Sequence, residues 1–187
     1  MKQKILEWIK TFVEVPNADF GNLPVCPYAK EARTSNRLNI IEFSNDRPDS
    51  DIEKCIKDID LSKHDITLLI FEKDRWSIQD TFKIARKTQT IAENRGLVFV
   101  EDHPDWHEVI GNTDITNGEY IVFFAQNHEK TFKFATKLRK TNYYKTWANT
   151  NRVVNNFIQG EKADPDYFNK RQEDYNLEFE QEFGQWK

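Results

Sequence analysis

The sequence predicts an α/β (or α+β) fold. A layered domain over residues 1–150, with a four-stranded, mainly parallel mixed sheet flanked by helices, is followed by a helical C-terminal arm over 151–187. Three observations lead there. Four short apolar runs rich in β-branched and aromatic residues stand at 38–43 (LNIIEF), 66–71 (ITLLIF), 97–100 (LVFV) and 120–125 (YIVFFA). The first three are separated by stretches with helical apolar spacing, and a crossover helix between neighbouring strands makes them parallel. A chain of 187 residues fits one globular domain with an arm.

The elements follow in order. Ile5, Leu6, Ile9, Phe12 and Val13 fall on one face of an opening helix, and Pro16 stops it. A loop over 15–33 is punctuated by Gly21, Pro24 and Pro27. After the first strand, Ser50 with Glu53 reads as a capping box for a short helix carrying Ile52, Ile56 and Ile59. The run at 66–71 is almost continuously apolar, as in a strand covered on both faces. Ser77 with Asp80 opens a longer helix bearing Ile78, Phe82, Ala85 and Ala92, with Gly96 where a C-terminal cap belongs. The fourth strand is entered through an Asn117-Gly118 turn, and a basic helix over about 128–140 leaves it. In the arm, Asp164-Pro165 starts a helix whose stripe is Phe168, Tyr175, Phe179, Phe183 and Trp186 among acidic side chains. That helix is expected to dock on its own core, on a protein partner, or on a second copy.

Composition removes several classes. Six glycines and six prolines are too few for a collagen-like or linker-like chain. No apolar run approaches the roughly 20 residues that a membrane helix needs, so no membrane association is expected. The first ten residues, MKQKILEWIK, lack the continuous apolar stretch of a secretory signal. Two cysteines, Cys26 and Cys55, fit a reducing compartment, and a cytoplasmic location is expected. A net charge of −4 argues against a surface built to coat DNA. The basic stretch from Lys130 to Lys145, with Tyr143 and Tyr144, could hold a single strand, but it also reads as a solvated helix face neutralised by the acidic arm.

Parallel strands bring their carboxyl ends to one edge, where ligands of open α/β sheets sit. Here those ends read Ser44-Asn45-Asp46, Glu72-Lys73-Asp74-Arg75-Trp76 and Glu101-Asp102-His103. Elsewhere, a helix begun at Pro27 would place Cys26 at its N-cap, where free N–H groups and nearby Lys30 favour thiolate. His103 and His107 lie four apart, so on a helix begun at Pro104 they could share a Zn²⁺ or Fe²⁺ ion with Glu101. Alternatively His103 is an acid/base group oriented by Asp105. No phosphate-binding glycine loop, serine elbow or C-x-x-C pair is present, and no cofactor is identified.

Val25-Cys26-Pro27-Tyr28 is similar to the active-site start of glutaredoxins, although Ala29 stands where they carry a second cysteine or a serine. A broader pattern joins the opening amphipathic helix, Asn22-Leu23-Pro24-Val25-Cys26-Pro27-Tyr28-Ala29 and the later His103-Pro104-Asp105. It resembles the bacterial family catalogued as domain of unknown function 1415. The loop before the cysteine is longer here, and the stretch after His103 departs from the family pattern. The resemblance carries no established activity; it implies that Cys26 and His103 belong to one site.

The functional expectation is thiol-dependent chemistry on a small polar molecule in a cleft at the sheet edge. Cys26 is the nucleophile, His103 its proton partner and Asp105 the orienting group. Lys73, Arg75, Tyr28 and Lys30 would bind substrate. The competing readings are a non-catalytic binding or assembly protein, using the aromatic arm or the basic 130–145 stretch, and the metal site on His103 and His107.

Overall fold

A computed structural model of the chain describes residues 1–146. The arm at 151–187, with its aromatic stripe, lies outside the described residues. Helix α1 (Lys2–Trp8) continues into a π-helical turn at Ile9–Val13, buries Ile5, Ile9 and Val13, and ends ahead of Pro16. Within the stretch expected to be loop, β1 (Pro16–Asn17) pairs with β2 (Leu23–Pro24) as a small hairpin. Between them the Asn17 side chain accepts from the Asp19 N–H, and Gly21 takes a left-handed φ of +63°. A Cβ on Gly21 would stand 2.7 Å from the Asn142 backbone, so only glycine fits that approach.

Helix α2 (Ala29–Thr34) leads to β3 (Leu38–Phe43), α3 (Ser50–Lys57), β4 (Ile66–Glu72), α4 (Ile78–Asn94) and β5 (Leu97–Asp102). The hairpin β6 (Val109–Ile110) and β7 (Thr113–Asp114) precedes β8 (Tyr120–Asn127) and α5 (His128–Leu138). Ser77 caps α4 as expected, its Oγ accepting from the Asp80 N–H at 3.2 Å. The capping box at Ser50 does not form: Asp49 is the N-cap, no side chain caps the helix, and Ser50 is already its first residue.

The sheet is four-stranded and mixed, in the order β3-β4-β8-β5. Strands β3, β4 and β5 point the same way, so their carboxyl ends share one edge. Strand β8 runs the opposite way and sits between β4 and β5, so among the described residues only β3 and β4 form a parallel pair. The physical reason is the connection. No crossover helix follows β5, and a loop with a short hairpin returns the chain antiparallel. The most continuously apolar strands, β4 and β8, take the two central positions, where both faces are covered.

Strand alternation divides the core. Phe43, Leu69, Phe71, Ile121, Phe123 and Phe99 face α3 and α4, meeting Ile52, Ile56, Ala85 and Ala92. Ile40, Ile66, Leu68, Ile70 and Val122 face the opposite layer of α1, its π-helical turn and α2, with Phe134 of α5 packed against them. At the amino ends of β3 and β4, buried Asp65 receives Arg37 Nε at 2.7 Å and Lys130 Nζ at 2.7 Å, fastening α5 to the sheet. No described helix is long and apolar enough to cross a membrane.

Candidate functional site

At the carboxyl edge, the loops after β4 and β5 line an open cleft of about 560 Å³. Glu72, Lys73, Trp76, Ser77 and Ile78 line it from the β4 side, and His103 and Asp105 from the β5 side. The Trp76 ring is anchored from behind, stacked on Phe123 at 6.0 Å and tilted against Phe71 at 4.7 Å. Lys73 Nζ, from the loop after β4, meets Asp105 Oδ1, from the loop after β5, at 2.6 Å, with both side chains about half exposed. The lysine bond, more than any other group, holds the Asp105 carboxyl below the usual carboxylate range.

His103 is 3% exposed, and both of its ring nitrogens are engaged by backbone. The Asp105 N–H donates to Nδ1 at 3.1 Å, which places the ring proton on Nε2, 3.2 Å from the Trp76 carbonyl. The ring therefore fastens one loop to the other, with neither nitrogen left for a substrate proton. Asp105 does orient the ring, but through its backbone N–H; its carboxylate serves Lys73.

Other expected members of the site lie elsewhere. Cys26 is partly buried and packs against the apolar layer of α1 and α2, on the sheet face opposite the Trp76 cluster. It precedes Tyr28, the N-cap of α2, by two residues, so it does not cap the helix as expected. Burial pushes its thiol up to about 11 and outweighs the backbone N–H groups of Tyr28 and Ala29 that favour thiolate. The expected meeting of Cys26 and His103 in one cleft does not occur. Tyr28 is buried beside Cys26, its hydroxyl turned to Gln126 and Thr131, and Lys30 is exposed on α2. Arg75 follows Lys73 by two residues but turns away from the cleft. Its guanidinium donates to the Ser44 carbonyl at 2.7 Å and to Asp49 Oδ1 at 2.8 Å, clipping the β4–α4 loop to the β3–α3 loop.

The metal expectation fails on local geometry. Residues after Pro104 form a turn, not a helix, so His103 and His107 do not share a face. His107 Nδ1 instead meets Asp114 Oδ2 at 2.5 Å. Among the described residues no three His, Cys, Asp or Glu side chains converge to hold an ion, Glu101 included.

The sequence reading named Lys73, His103 and Asp105 but not Trp76, Ser77 or Ile78 as site residues. The signal was present, since Trp76 ends the polar strand-end segment and Ser77 is the helix cap that turns the chain across the cleft. It also missed Asp102, whose carboxylate accepts from both the backbone and side-chain N–H groups of Asn117 and so sets the entry to β8. No family model, no curated protein and no solved structure matches this chain.

Proposed function

We infer that the protein is a non-catalytic binding module that holds a small polar molecule in the cleft between the β4 and β5 carboxyl ends. The observation that supports this reading is the Lys73–Asp105 pair, which joins the two loops that line an open cleft. Trp76 is set by Phe71 and Phe123, and His103 by two backbone bonds. Ordered walls lower the entropic cost of binding, and an exposed ion pair is a weak interaction that a polar ligand can replace.

Thiol chemistry is not part of this reading. Nucleophilic catalysis needs a thiolate with a base in hydrogen-bond reach, whereas Cys26 is partly buried, its pKa raised, in another layer, and both nitrogens of His103 are occupied. Polar strand ends at a sheet edge, an aromatic wall and a paired charge are the ordinary furniture of a ligand site.

The test is a thermal-shift screen of the full chain with an alkylamine, a short carboxylate, inorganic phosphate and a sugar phosphate. A ligand that binds only the folded state raises the melting temperature. At least one class is expected to do so in the wild type and to lose most of its effect in Lys73→Met. The reading is overturned when no class shifts the transition, or when every shift survives Lys73→Met unchanged.

A further inference from the structure

The charges that line the edge cleft are unbalanced. Glu72, Asp74 and Asp105 are carboxylates, and Lys73 is the one lysine or arginine among the lining residues. Lys73 meets Asp105, whereas among the described residues Glu72 and Asp74 take part in no ion pair. The apolar part of the lining is Trp76 and Ile78.

Each kind of ligand charge acts differently on the Lys73–Asp105 pair. An anion that takes the lysine strands the Asp105 carboxylate and adds negative charge beside Glu72 and Asp74, so a phosphate fits worst. A cation that takes Asp105 leaves Lys73 without its partner. A molecule carrying both charges satisfies both ends at once. Little is lost in the exchange, because an exposed ion pair contributes little in water, while each of its two members regains a charged partner. Nor does the exchange require the loops to part. The Asp105 N–H donates to His103 Nδ1 at 3.1 Å, and His103 Nε2 lies 3.2 Å from the Trp76 carbonyl, so the backbones stay joined when the carboxylate changes partner.

Distance narrows the class. Lys73 Nζ and Asp105 Oδ1 start 2.6 Å apart, so the two ligand charges that replace them must also stand close together, as they do on one carbon atom. The surplus carboxylates favour an ammonium as the positive end, and Trp76 with Ile78 offers an apolar surface to the remainder of the molecule.

We propose that the cleft takes a zwitterion, an α-amino acid with an apolar side chain. Its carboxylate pairs with Lys73, its ammonium with Asp105, and its side chain lies against Trp76 and Ile78. This assignment rests on the reading of the cleft as a ligand site and names the class of ligand within it.

The test is a set of chemical-shift titrations of the full chain near neutral pH. The probes are leucine, isocaproate (leucine without its ammonium), isoamylamine (leucine without its carboxylate) and inorganic phosphate. Leucine is expected to saturate shifts at residues 72–78 and 103–105 with a Kd about tenfold below that of either analogue, as one further charge-assisted bond provides. Asp105→Asn is expected to bring leucine to the Kd of isocaproate, and Lys73→Met to that of isoamylamine. Both side chains are about half exposed, so both variants are expected to fold, and the comparison of probes on the wild type needs neither. An analogue or phosphate that binds in the cleft as tightly as leucine overturns the amino-acid assignment and leaves the cleft a site for a single charge. Leucine binding that both variants leave unchanged overturns the assignment as well. A cleft unmoved by all four probes overturns the assignment together with the ligand site on which it rests.

Discussion

His103 Nε2 lies 3.2 Å from the Trp76 carbonyl, so a histidine at the end of β5 holds the loop that follows β4. The bond explains why a 3%-exposed imidazole stands in a polar segment: its ring nitrogens pair with the Asp105 N–H and the Trp76 carbonyl, one from each loop. His103→Ala would leave the Asp105 N–H and the Trp76 carbonyl without this partner and open a cavity. A loss of about 2–3 kcal/mol is expected in urea unfolding, with ligand binding in the cleft weakened too. Unchanged stability in that variant would mean that the ring does not join the loops.

The two cysteines are expected to differ in reactivity. Cys26, whose thiol is pushed up to about 11 by burial, is expected to alkylate at least about tenfold more slowly than Cys55 at pH 8, since thiolate is the reactive form. Cys55 lines a separate cavity of about 290 Å³ and accepts a bond from Arg47 Nη2 at 3.4 Å. Iodoacetamide labelling against pH, read site by site, checks this. Rapid labelling of Cys26 at pH 7 would restore it as a candidate nucleophile.

Asp102 is held at about 6, raised chiefly by burial, while an unfolded aspartate titrates near 3.9. The folded chain therefore binds this proton more tightly than the unfolded one. Its contribution is full below about pH 4 and is lost as pH rises through about 6. Asp102→Asn keeps an oxygen for the Asn117 N–H groups and removes the buried charge, so a gain of about 1–2 kcal/mol is expected at pH 7 and little at pH 4. Melting curves across that range decide it; a loss at pH 7 would count against the assignment.

Asp65 has the opposite sign. The Arg37 bond, ahead of Lys130, lowers its carboxyl below the ordinary value. Its contribution is present above about pH 3.9 and disappears as pH falls through the lowered folded value. Asp65→Asn takes the shared carboxylate from two partly exposed cations, and a loss of about 1–2 kcal/mol at pH 7 is expected, shrinking towards pH 3. Urea titrations at the two pH values measure both figures.

Strands and helices were legible because burial writes a period into the chain. The runs at 66–71 and 120–125 are apolar on both faces, and they form the two central strands. What periodicity does not encode is neighbour order, so the insertion of β8 between β4 and β5 could not be read from the run alone. The site was legible in part for a similar reason. Parallel strands bring their ends together, which placed Lys73 beside Asp105 and His103. Side-chain direction was not legible: Arg75 turns to the Ser44 carbonyl, and Cys26 falls on the opposite face because the segment after β2 packs against the α1–α2 layer. Pro104 starts a turn instead of a helix, and that backbone choice separates the two histidines.

The central claim is that the edge cleft, and not the Cys26 layer, receives the ligand. Chemical-shift mapping of the full chain tests it most directly, with an alkylamine, a short carboxylate and inorganic phosphate as separate probes. The expected result is a saturable perturbation centred on residues 72–78 and 103–105, including the Trp76 indole, that is lost in Lys73→Met. Perturbations centred instead on Cys26, Tyr28 and Tyr143, with the cleft unmoved by every probe, would contradict it.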